Sequence, residues 1–212
     1  MTLESAFPWI SAASALAAGL IPPERRAGRT LWALALAALA LFAYFRSITP
    51  NSVPMALACQ AIGQAVLPLG PERWRRIEIG LPVLGWLILA NLYRGVGDGL
   101  GVFVGDGVKA GLLAALVIGA GYGLWRIRKS APRPRPGLVA EAVALVVMGV
   151  MSLTLAWDFW PVMVGAVAAL AAFGLQVYGG RASEAEPSPA PARGTWALGF
   201  LGQAAMAYAF LR

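Results

Sequence analysis

Gln60 and Gln64 sit one helical turn apart in the apolar run MALACQAIGQAVLPLG, so they face the same side of any helix that run forms. A bilayer core offers their amides no water, and each must therefore meet another helix or a wet cavity. Glu78, Glu141, Gln176 and Gln203 are placed in the same way, inside or at the edge of long apolar runs. Carboxylates can exchange protons with a substrate, whereas an amide near neutral pH can only donate and accept hydrogen bonds. The chain has no histidine. That removes Ser-His-Asp and Cys-His catalysis, imidazole metal sites and the usual pH switch together. Cys59 is the single cysteine and lies inside an apolar run, so no intrachain disulfide forms.

The elements that must position these groups follow from composition. Hydrophobic residues make up 59% of the 212-residue chain and charged ones 13%, far from the soluble norm of roughly 45–50% and about 25%. An all-α, polytopic membrane helix bundle is expected, with residues 1–212 forming a single transmembrane domain. Apolar runs at about 8–21, 30–46, 51–68, 74–93, 102–125, 138–157, 159–179 and 194–211 give eight transmembrane helices, most near the roughly 20 residues that span a bilayer. Segments rich in Pro, Gly or charge separate them. The start of the chain has Glu4 and no Lys or Arg before its apolar run, which is unlike a cleavable signal peptide and reads as a retained first helix.

The net charge is +7, but the basic residues occupy short loops rather than a basic domain, which argues against nucleic acid and for a topology signal. Arg25, Arg26, Arg29, Arg73, Arg75, Arg76, Arg126, Arg128, Lys129, Arg133, Arg135, Arg181 and Arg193 follow the first, third, fifth and seventh helices. Arg46, Arg94, Lys109 and Arg212 lie on the other side. A split of 13 to 4 places the first group in the cytoplasm and both termini outside, as in a multi-pass protein of the bacterial inner membrane. The stretch 181–193, rich in Ala, Pro, Ser and Glu, reads as a mobile cytoplasmic loop.

With that topology, Gln64, Glu78, Glu141, Gln176 and Gln203 share the cytoplasmic half. Two readings stand. Glu78 and Glu141 snorkel to the interface or pair with Arg75, Arg76 or Arg135 while the glutamines bridge helices; or all of them line a substrate cavity of roughly 300–1,000 Å³. Elsewhere, GVGDGLGVFVGDG follows a membrane helix and lacks the Lys-Ser/Thr pair of a phosphate loop, so it reads as a flexible extracytoplasmic loop. Trp157 and Trp160 in WDFWP read as an aromatic belt, and Ser11, Ser14, Ser152 and Thr154 as packing residues. No metal or other cofactor is expected.

Taken in order, AIGQAVLPLGPER, GLPVLGWLILANLY, WPVMVGAVAALAAF and GFLGQ resemble the motifs of the YhhN-like lysoplasmalogenase family, eight-helix membrane proteins. The likeness covers about 51–93 and 145–211. It implies hydrolysis of the vinyl ether bond of a lysoplasmalogen, by protonation of the alkenyl carbon and capture of the oxocarbenium by water. A membrane lipid partner, a lysophospholipid or ether lipid, is implied with it. The family's Gly-Asp acid is replaced by Gln64, its helix-seven Ser-Asp by Ala172 and Phe173, and its helix-four His falls near Asn91; Gln203 alone carries over. Catalysis would then fall to Glu78 or Glu141, with Gln64, Gln176, Gln203 and Asn91 binding substrate. The alternative is a non-catalytic lipid-binding protein or an accessory subunit of a membrane complex, and the expected protein partners are further copies of the chain or a larger membrane complex.

Overall fold

A computed structural model describes residues 3–21, 26–46, 51–66, 72–130, 136–176 and 189–211, and its regular structure is helical. The helices are α1 (Leu3–Leu20), α2 (Arg26–Arg46), α3 (Ser52–Val66), α4 (Glu72–Val96), α5 (Val102–Gly105), α6 (Gly107–Ser130), α7 (Pro136–Ser152), α8 (Trp160–Gln176) and α9 (Pro189–Tyr208). A 3-10 turn, Trp157–Phe159, precedes α8. Long helices thus stand near each expected apolar run. Among the described residues, Ala27–Arg46, Gly107–Trp125 and Trp157–Leu175 are long and apolar enough to cross a membrane, with shorter apolar helices at Ala6–Leu20, Gly80–Val96 and Val139–Ser152. Three helices among the described residues thus have the length and composition to cross a membrane, which is compatible with a membrane protein. The helix α3 has 15 residues and carries both Gln60 and Gln64, so it does not meet that measure by itself.

Helix α1 packs on α2, α2 on α3, α3 on α4, α4 on α7, α7 on α8 and α8 on α9. The ring closes where α9 reaches back to α1 and α2. Backbone proximity sets two of these seams, as expected where apolar lipid gives helices no hydrophobic reason to associate. At Gly85 an added Cβ would lie 2.8 Å from the Ala56 carbonyl oxygen, so α3 and α4 touch there almost backbone to backbone. At Gly165 it would lie 2.5 Å from the Gly202 carbonyl oxygen, and at Gly202 it would lie 2.7 Å from that of Gly165. Helix α6 stands outside the ring against α7, with 6% of its Gly107–Trp125 stretch buried.

Several boundaries differ from expectation for visible reasons. Helix α7 stops at Ser152, where the Ser152 hydroxyl donates to the Gly149 carbonyl and that of Thr154 to the Met151 carbonyl, each at 2.7 Å. These side chains satisfy carbonyls that further helix would have used. The glycine-rich stretch contains a short helix and then a sharp start to α6. Asp106 Oδ1 accepts from the backbone N–H groups of Val108 and Lys109 at 3.0 and 3.1 Å, capping α6. Its Oδ2 accepts from the Trp157 indole at 2.8 Å, so Trp157 ties two connections together as well as facing outward. Lys109, expected on the extracytoplasmic side at the start of the fifth apolar run, is buried; its Nζ donates to the Leu155 carbonyl at 2.6 Å and lies 5.3 Å from the centroid of the Trp157 ring. Residues 189–193 begin α9, and the rest of the expected loop 181–193 lies outside the described residues.

Candidate functional site

Six helices converge on a partly open cavity. Gln60 and Gln64 come from α3, Trp86 from α4, Glu141 and Leu145 from α7, and Phe173 from α8; Trp32 on α2 and Trp196, Phe200 and Gln203 on α9 complete most of its wall. The rings of Trp32 and Trp196 stack at 6.0 Å, and Phe200 tilts against Trp32 at 5.6 Å, giving one side a continuous aromatic lining. The cavity volume is about 70 Å³. That is well below the 300–1,000 Å³ expected from the sequence, because tryptophan and phenylalanine fill much of the space between the polar groups.

Three polar atoms on this wall are buried and have no hydrogen-bond partner among the described residues: Gln64 Oε1, Gln203 Oε1 and Trp86 Nε1. Each such group costs about 1–3 kcal/mol when left unsatisfied, and gathering them around one void places the cost where an occupant can relieve it. Gln60 is different. Its Nε2 donates to the Pro82 carbonyl at 3.0 Å, so this glutamine joins α3 to α4 while also facing the cavity. The Pro82 ring lacks an N–H and interrupts the helical ladder in α4.

Of the residues singled out in the sequence, Gln64, Glu141 and Gln203 meet at this cavity. The side chains of Glu78 and Gln176 lie outside the described residues. Asn91 is exposed on α4 and does not line the cavity. Among the described residues, no group of three or more His, Cys, Asp or Glu could hold a metal ion. Sequence reasoning missed Trp32, Trp86, Thr195 and Trp196. The signal at Trp86 was legible, since an indole N–H in the middle of an apolar helix needs a partner; the others depend on how α2 and α9 meet.

No protein-family model matches the chain, and neither a curated protein nor a solved structure matches it.

Proposed function

We propose that this chain is an eight-span protein of the bacterial inner membrane, with both termini outside, that binds the polar part of a membrane lipid in its partly open cavity without catalysing a reaction on it. The observation that carries this reading is the gathering of Gln64 Oε1, Gln203 Oε1 and Trp86 Nε1, all without partners among the described residues, on one aromatic-walled void. Amides and an indole recognise by hydrogen bonding and do not transfer protons near neutral pH. A void of about 70 Å³ takes only a small polar fragment, so any acyl or alkenyl chain must lie elsewhere along the bundle. Native mass spectrometry after gentle extraction tests this. One lipid retained per chain, and lost in Gln203→Leu, is expected; a bare chain at every extraction strength defeats it.

A second reading has one observation in its favour. Glu141 brings a carboxylate to the same wall, and the resemblance to YhhN-like lysoplasmalogenases supplies a reaction that needs an acid. Glu141 would protonate the alkenyl carbon, its carboxylate would take a proton from the water that captures the oxocarbenium, and the resulting hemiacetal would break its C–O bond to give aldehyde and the glyceryl hydroxyl, which takes up the hemiacetal proton. Purified protein incubated with a lysoplasmalogen should then release aldehyde, with Glu141→Gln inactive. No release between about pH 5 and 8 removes the hydrolase reading.

A further inference from the structure

Whichever way a terminal amide is turned, it shows a carbonyl oxygen along one edge and N–H donors along the other. Gln64 Oε1 and Gln203 Oε1 each offer the cavity an acceptor and Trp86 Nε1 a donor that cannot accept, none with a partner among the described residues, while Glu141 and Thr195 on the same wall each have an interaction of their own. An occupant that satisfies this wall must itself donate and accept. An ammonium group only donates, so it leaves the Trp86 indole unpaired; a phosphate dianion or carboxylate only accepts, so it leaves the amide carbonyls unpaired. Hydroxyl groups do both. The cavity volume, about 70 Å³, is several times the roughly 10–15 Å³ that a single water needs, which leaves room for a small molecule of a few carbons. The aromatic side formed by Trp32, Trp196 and Phe200 suits the C–H faces of such a molecule, while its hydroxyls turn toward Gln64, Gln203 and Trp86.

From this census we infer that the cavity takes a small uncharged polyhydroxyl group: a free polyol of glycerol size, or the hydroxylated head of a neutral lipid. The inference rests on the reading of the cavity as a ligand site and narrows its ligand class. The glyceryl end of a monoacylglycerol presents the same hydroxyls as free glycerol, but its chain needs an opening toward the apolar exterior.

The test is a binding panel on the full chain in nanodiscs. Radiolabelled glycerol, methylammonium and methyl phosphate are each measured by equilibrium dialysis against empty nanodiscs, and 1-monoacylglycerol by native mass spectrometry. Saturable binding of glycerol or monoacylglycerol, one per chain, is expected, with neither ion bound. Binding of both hydroxyl compounds points to a free polyol site with an opening; monoacylglycerol alone identifies a lipid head. In Trp86→Phe, which keeps the ring and removes the N–H, affinity should fall about fivefold, the worth of one neutral hydrogen bond. Gln203→Leu should lower it by at least as much. Saturable binding of methylammonium or methyl phosphate instead overturns the hydroxyl assignment and leaves the lipid-binding reading standing. If nothing binds and Gln203→Leu is more heat-stable than the wild type, both fall, and the glutamines are packing groups.

Discussion

Gln60 Nε2 donates to the Pro82 carbonyl at 3.0 Å across the seam between α3 and α4, at the level where Gly85 lets the two backbones meet. One polar side chain thus strengthens a helix contact next to the proline that interrupts α4. The same contact puts Gln64, one turn further along α3, on the cavity wall. Replacing Gln60 by Met keeps its length and deletes the bond. The expected loss is about 0.6 kcal/mol, the average measured for hydrogen bonds between membrane helices. A titration of unfolding with denaturing detergent measures it, and a more stable variant would show that the amide is retained for the cavity rather than for the seam.

At Gly85 the seam has no slack. A methyl group there would sit 2.8 Å from the Ala56 carbonyl oxygen and 3.1 Å from Gln60 Nε2, so Gly85→Ala must push α3 away or turn the Gln60 amide. Overpacking of this kind costs about 1–3 kcal/mol. Gly80 of the same helix has nothing within 4 Å of an added Cβ, and Gly80→Ala should be neutral or mildly stabilising through helix propensity. Thermal unfolding of the two variants side by side distinguishes a local clash from a general intolerance of α4 to substitution.

The crossing of α8 and α9 is tighter still. An added Cβ on Gly202 would meet the Gly165 carbonyl oxygen at 2.7 Å and the Ala169 backbone nitrogen at 3.1 Å, and backbone atoms cannot swing aside as a flexible side chain can. Gly202→Val should therefore destabilise the bundle more than Gly85→Ala does. It should also disturb the cavity, because Gln203 is the next residue and Ala169 lines the same wall. Loss of the monodisperse peak on size exclusion, or a lower unfolding midpoint, is the expected result.

Much of this architecture could be read from the residues. The apolar runs and their Pro- and Gly-rich separators marked the long helices, since a break in hydropathy also breaks a helix. Gln64, Glu141 and Gln203 were placed in one half of the chain's topology, and the structure brings them to one cavity. What could not be read was packing. The aromatic wall depends on where α2 and α9 meet, and the small cavity volume follows from side chains that sequence spacing cannot bring together. Asn91 was singled out through a motif resemblance; α4 turns it outward. The cap at Asp106 was hidden inside a glycine-rich stretch, where composition suggested a loop and one carboxylate decided where α6 starts.

Asp106 also predicts a pH dependence. Its carboxyl is held below the ordinary carboxylate value, first by the backbone N–H of Lys109, then, against some desolvation, by the Trp157 indole, the Val108 N–H and the charge of Lys109. A carboxyl whose folded value is depressed stabilises the fold fully above its unfolded value, near about 3.9, and loses that contribution as pH falls through the lower folded value. The melting temperature should therefore drop as pH falls below about 4. Asp106→Asn, which can still cap α6, should flatten that part of the profile. Equal acid sensitivity in the two proteins would assign the effect to other carboxylates.

The last prediction concerns which side of the membrane each connection faces. Asp158 is exposed in the connection between α7 and α8, flanked by the half-exposed Trp157 and Trp160. Few positive charges accompany it, so the charge rule places it outside the cell. Cys59 is the only cysteine and is partly buried within α3, which makes Cys59→Ala a suitable background. Introducing Asp158→Cys into it gives a single thiol at an exposed loop position. A membrane-impermeant maleimide added to intact cells or spheroplasts should label this thiol. In the same background, Arg133→Cys, in the basic connection before α7, should label only after the membrane is broken. The physical ground is the retention of Lys and Arg on the cytoplasmic side during insertion, which acts on short loops of this kind. The reverse pattern would invert the whole bundle and turn the cavity toward the outer half of the membrane. Labelling of both thiols in intact cells would mean that an even number of spans, rather than the single span of α7, separates the two positions, and the eight-span count would fail.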